Sequence, residues 1–217
     1  MLSAIVALAL TAAPSDSRLT LLDAMADELK RNQTQLKLEE AGPPYFISYQ
    51  VKDYDSREVD ARYGALFNDE VDHDRKIYVD VRTGSYDFDN SIEEDMDFNF
   101  SMKGTSYVVR KQAPIDDDPA ALRNALWLIT DEKYKSALFN LLKKKGENVY
   151  TVKDPKRPPS FSKEKPSSYV QEKLEFGWDR EGWKQRAREL SARFLLNPHV
   201  IDSDVLVTGD KTTRFFV

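Results

Sequence analysis

Imidazole is scarce in this chain: His73 and His199 are its two histidines, they lie far apart, and cysteine is absent. Transition-metal sites gather imidazole and thiolate ligands on neighbouring turns or strands, and two remote histidines offer no such set. The lack of cysteine also removes disulfides and thiolate nucleophiles. No Gly-x-Ser-x-Gly elbow, Gly-x-Gly-x-x-Gly fingerprint or Gly-x-x-x-x-Gly-Lys loop occurs. Hydrolase, dinucleotide and P-loop chemistry therefore have no local scaffold here.

Carboxylates are the plentiful reactive groups, 37 in all. From Asp69 to Asp97 there are eleven of them against Arg75, Lys76 and Arg82. Pairs such as Asp87 and Asp89, or Glu93 and Asp97, could act as acid and base only where their surroundings push the two pKa values apart. The stretch Asp87 to Asp95 has the oxygen density that calcium accepts. An EF-type loop needs a turn glycine at its sixth position, however, and that position is Ile92. A solvated acidic loop is the expectation.

Basic residues cluster at Lys143 to Lys145 and at Lys153, Lys156, Arg157, Lys163 and Lys165, with Phe161 and Tyr169 nearby. Complementing a helix C-terminus and solubilising a linker explain both runs. With a net charge of −5 and pI near 5.2, the chain as a whole does not attract a phosphate backbone, and no nucleic-acid partner is expected.

These residues need elements to hold them, and 217 residues with 41% hydrophobic and 32% charged side chains suit one packed domain. Residues 1–13 form an apolar or small-residue run of signal-peptide length, too short to span a bilayer, with cleavage expected after Ala12. That predicts export, to a bacterial periplasm or cell envelope, with residues 14–217 forming a single domain.

Ser17 is placed to cap an amphipathic helix carrying Leu22, Met25, Leu29 and Leu36 on one stripe, ending before Gly42-Pro43-Pro44. Three runs of alternation follow: Tyr45 to Val51, Val59 to Phe67, and Ile77 to Val81. They predict an antiparallel meander, with hairpin loops at Asp53 to Ser56 and Asn68 to Asp74. Asp118-Pro119 opens a second helix that closes at Gly146, and Asp179 caps a third bearing Trp183, Ala187, Leu190 and Phe194. Between them, four prolines and a basic excess mark a surface loop at about 150–168. Gly209-Asp210 predicts the turn of a final hairpin. The fold class is therefore α+β: an antiparallel meander packed against helices, with a C-terminal helix and hairpin.

Several segments in order carry a resemblance. They are Pro44-Tyr45-Phe46-Ile47-Ser48-Tyr49, Ala61-Arg62-Tyr63-Gly64-Ala65-Leu66, Tyr78-Val79-Asp80-Val81-Arg82-Thr83-Gly84 with Asp89-Asn90, and Ala121 to Trp127 through Tyr134-Lys135, followed by Trp183, Leu190-Ser191 and Thr213-Arg214-Phe215. Together, from about Leu21 to Val217, they resemble the N-terminal region of exported TldD/PmbA-related metallopeptidases. The resemblance implies a leading domain that helps enclose a peptide-processing cavity and contributes to subunit assembly, as a homo- or hetero-oligomer. Such peptidases place zinc on a helix bearing His-Glu-x-x-x-His, a sequence that does not occur here. No catalytic residue and no cofactor is therefore assigned to this chain, and zinc is expected only in the C-terminal part of such proteins. A free-standing exported module that binds peptides or proteins along a sheet edge is the alternative. Tyr49 and Tyr63 are the aromatic side chains expected to contact a peptide in either case.

Overall fold

The computed structural model describes residues 16–38, 42–91, 111–147 and 158–217. The expected signal peptide (1–13), the acidic residues 93–97 and the first part of the proline-rich loop lie outside the described residues.

Helix α1 spans Ser17–Gln35. Its N-cap is Asp16, one residue before the expected serine, because the Asp16 carboxylate accepts the Arg18 N–H at 3.1 Å. Helix α2 runs unbroken over Pro119–Glu147, opened by Asp118 Oδ1, which accepts from Ala120 and Ala121 at 2.8 and 3.2 Å. Gly146 lies inside its last turn. Helix α3 covers Arg180–Ala192, with Asp179 accepting the Gly182 N–H at 3.0 Å, and runs into a 3-10 turn at Arg193–Leu196.

The sheet is antiparallel and follows the order β3-β2-β1-β4, with β1 at Phe46–Arg62, β2 at Ala65–Arg82, β3 at Lys111–Gln112 and β4 at Val205–Phe216. Helices and an antiparallel sheet make the fold α+β. Two expectations fail in the same way. The polar runs Asp53 to Ser56 and Asn68 to Asp74 are not hairpin loops; they pair with each other in register, Asp53 with Arg75 and Tyr54 with Asp74, inside one long ribbon. The ribbon turns once, at Tyr63-Gly64, where φ is 47° and 82°. Two positive φ values at a two-residue loop are what a right-twisted hairpin requires. Likewise Gly209-Asp210 is not a turn, and β4 runs through it as one strand.

Helices pack on one face of this sheet. Ile47, Tyr49 and Val51 of β1 meet Leu21 and Met25 of α1 and Leu122, Leu126 and Ile129 of α2, all buried. Farther along the same face, Val59 and Ala61 meet Ala187 of α3, with Trp178 and Trp183 beside them. Each fully buried Leu or Ile contributes roughly 1.5–3 kcal/mol relative to exposure. The alternate residues, Ser48, Gln50, Lys52 and Tyr54, point to the opposite face.

Polar anchors fix these layers. Glu28 of α1, 1% exposed, accepts from Arg31, from Asn32 at 2.9 Å and from Arg123 of α2 at 3.3 Å. Arg75, 3% exposed, donates to Asp53 at 2.8 Å, Asp117 at 2.7 Å and the Pro114 carbonyl at 3.1 Å, tying the entry to α2 onto the ribbon. Burial works against the Arg75 charge, and the two carboxylates outweigh it, raising its pKa.

Candidate polypeptide-binding edge

Strand β4 is the end strand of the sheet, and no strand pairs with its outer side among the described residues. Its register on β1 is continuous, from Gln50 opposite Phe216 to Ala61 opposite Val205. Just past its end, Tyr49 and Val217 exchange both backbone hydrogen bonds, at 2.8 and 3.0 Å. In an antiparallel ladder the inward and outward groups alternate, so the odd-numbered residues of β4 bond to β1. The N–H and C=O groups of Leu206, Thr208, Asp210, Thr212, Arg214 and Phe216 therefore point to the free edge. Their side chains lie on the helix-free face and are exposed.

Residues 158–179 contain no helix or strand. Two aromatic anchors hold this strap. At one end the Phe161 N–H donates to the Tyr86 carbonyl at 3.0 Å, and its ring lies 4.8 Å from Phe46 and 4.0 Å from the Arg82 guanidinium. At the other end Trp178 lies against Gly209, where an added Cβ would stand 2.7 Å from the indole. The strand glycine thus makes room for a ring rather than a turn. Arg57 covers Phe176 at 5.2 Å, and Trp178 packs on Trp183 at 5.9 Å.

Between these anchors the strap stands away from β4, leaving a slot of about 520 Å³. Its walls are Ser167 to Leu174 on one side, Lys211 to Phe216 on the other, and Arg18, Leu19 and Leu22 of α1 at its base. Arg18 donates to the Gln171 carbonyl at 3.5 Å. No backbone hydrogen bond joins Ser167 to Leu174 to β4. The slot is thus bounded along one side by outward-facing backbone groups of Thr212, Arg214 and Phe216, which have no strand partner among the described residues.

Neither Tyr49 nor Tyr63 lines the slot. Tyr49 is wholly enclosed, its hydroxyl accepting from Asn32 at 2.8 Å and lying 3.0 Å from the Thr130 hydroxyl. Burial is the main cause that raises its pKa. Tyr63 sits in the β1-β2 turn, half-buried, its hydroxyl donating to the Val200 carbonyl at 3.5 Å. His73 lies on β2 with Nε2 2.5 Å from Asp53 Oδ1, and His199 is exposed beyond α3.

Asp87 and Asp89 do not face each other as an acid-base pair. Asp89 is fully buried, accepting from Tyr45 at 2.8 Å, Arg82 at 3.0 Å and the Ser91 N–H at 2.8 Å. Burial alone would raise its pKa, but the bonds from Ser91, Tyr45 and Arg82 prevail and hold it below the ordinary 3.8. Glu93 and Asp97 lie outside the described residues. Among the described residues no group of three or more His, Asp or Glu side chains is placed to hold a metal ion, and no helix is long and apolar enough to cross a membrane. The edge of β4 went unseen in the sequence because Gly209-Asp210 read as a turn; the alternation of Val205, Val207 and Phe215 on either side was the available signal. In comparisons with known proteins, no protein-family model and no curated protein matches this chain.

Proposed function

We propose that this chain is a non-catalytic polypeptide-binding domain that captures an extended segment by adding it as a strand to β4. The observation that carries this reading is the slot between β4 and the strap, with the N–H and C=O groups of Thr212, Arg214 and Phe216, unpaired among the described residues, along its inner wall. Main-chain hydrogen bonding at such an edge supplies affinity with little demand on sequence. A domain that feeds or encloses a peptide requires that combination.

The resemblance to the leading domain of TldD/PmbA-like metallopeptidases supports the setting: enclosure of a peptide substrate and contact between subunits, with zinc chemistry supplied by residues outside this chain. The slot equally serves a free-standing exported module. A reading frame with His-Glu-x-x-x-His continuous with this one or adjacent to it favours the peptidase setting; its absence from the locus favours the free-standing one.

Amide hydrogen exchange tests the binding mode. With a saturating mixture of soluble β-prone decapeptides, the amides of Thr212, Arg214 and Phe216 slow, while those of Thr213 and Phe215, already bonded to β1, do not change. Unaltered exchange along the whole of β4 would sink the proposal.

A further inference from the structure

Resting on the reading of β4 as a strand-accepting edge, the geometry points to the chemical class of the guest: an acidic, extended peptide whose carboxylates alternate with apolar side chains. Four cations, Arg18, Lys173, Lys211 and Arg214, line the slot against one carboxylate, Glu172, in a chain whose net charge is −5. Arg18 is engaged by Asp16 at 2.6 Å, and Lys173 lies 3.7 Å from Glu175. Neither Lys211 nor Arg214 has an ion-pair partner among the described residues.

Arg214 also ends a row across the sheet. It stands opposite Lys52 of β1, which stands opposite Lys76 of β2. Lys76 is paired with Asp74, and Lys52 lies 4.7 Å above the Tyr78 ring. Like charges on neighbouring strands repel, and a carboxylate at the next position relieves them. A guest residue opposite Arg214 occupies that next position, on the same face of the sheet. Its neighbours along the guest strand turn to the other face, where Leu19, Leu22 and Leu174 line the slot. Arg18 and Lys211 share that second side with the leucines, so the alternation rests on Arg214 for the acid and on Leu19, Leu22 and Leu174 for the apolar residues.

The strap decides between a peptide and a second copy of this chain. A neighbouring molecule that paired through its own β4 would bring its β1 behind it, into the space held by Ser167 to Leu174. The strap therefore favours a single added strand over a second sheet.

The test uses three acetylated octapeptides of alternating Val with Glu, Gln or Lys, titrated against the full chain by fluorescence anisotropy. The Glu peptide binds tighter than the Gln peptide by roughly fivefold at low salt, the difference shrinking as salt rises, and the Lys peptide binds weakest. Arg214→Glu inverts the ranking. Arg214→Gln, a milder change should the reversal disturb β4, narrows the gap between the Glu and Gln peptides. Equal affinity of the unaltered protein for the Glu and Gln peptides overturns the inference while leaving strand addition in place. No binding of any of the three removes strand addition as well. A dimer in sedimentation that peptide dissociates would make a second copy the occupant and would also overturn the inference.

Discussion

Tyr49 and Val217 exchange both of their backbone hydrogen bonds, at 2.8 and 3.0 Å, and this pair sets which groups of β4 face the free edge. Thr212 is thereby an outward residue and Thr213, opposite Asp53, an inward one. Proline removes an N–H and is tolerated where that N–H faces away from the sheet. Thr212→Pro therefore keeps its melting temperature within a few degrees and loses peptide binding by tenfold or more. Thr213→Pro removes a ladder bond and leaves its acceptor on β1 unpaired, costing about 1–3 kcal/mol of stability. Thermal melts and anisotropy titrations on the two variants check the pair, and equal effects of both on stability would show the assignment of outward groups to be mistaken.

The Tyr49 hydroxyl joins three elements, bonding Asn32 of α1 and Thr130 of α2 from its place on β1. Phenylalanine keeps the ring but takes one bond from each partner, leaving Asn32 its bond to Glu28 and Thr130 its bond to the Leu126 carbonyl. Tyr49→Phe is expected to lower stability by about 1–2 kcal/mol, seen as a lower urea midpoint with the slope unchanged. A midpoint equal to that of the unaltered protein would mean that water takes over the role of the hydroxyl.

How much of this was legible beforehand follows from burial. All three helices could be placed from caps and stripes, because Asp118-Pro119 and Asp179 act locally and Met25, Leu122 and Ala187 report on one face. The long ribbon was not legible at its middle. There Asp53, Arg75, His73 and Asp117 pair with one another, so polar residues fill positions that an apolar alternation would have marked. The slot was less visible still, since its walls are a strap without regular structure and backbone groups whose direction depends on register.

Gly64 shows a constraint that is partly conformational and partly steric. Its φ of 82° is costly for any residue with a Cβ, and an added Cβ would also stand 3.2 Å from that of Ala192. Its N–H donates to the Ser191 hydroxyl at 3.0 Å, so the turn cannot drift away from α3. Gly64→Ala is expected to cost about 1–2 kcal/mol. Calorimetry checks the loss, and a variant as stable as the parent would show that the turn relaxes freely.

Acid should unfold this protein through a named set of carboxylates. The pKa of Asp89 is held low by Ser91, Tyr45 and Arg82 against the opposing effect of burial, and that of Asp69 by Arg180 and Lys184. A carboxyl whose native pKa lies below its unfolded value stabilises the fold fully above the unfolded value, near 4. The contribution is lost as pH falls through the native value, because protons then bind the unfolded chain more readily. Urea midpoints are thus expected to be level between about pH 6 and 8 on account of these groups and to fall steeply below about pH 4. Asp89→Asn, which cannot titrate, is less stable at neutral pH, where Arg82 loses a charged partner, and its midpoint falls less steeply with acid. Parallel pH profiles for the variant and the parent would show that the buried carboxylate does not carry its share of the acid response.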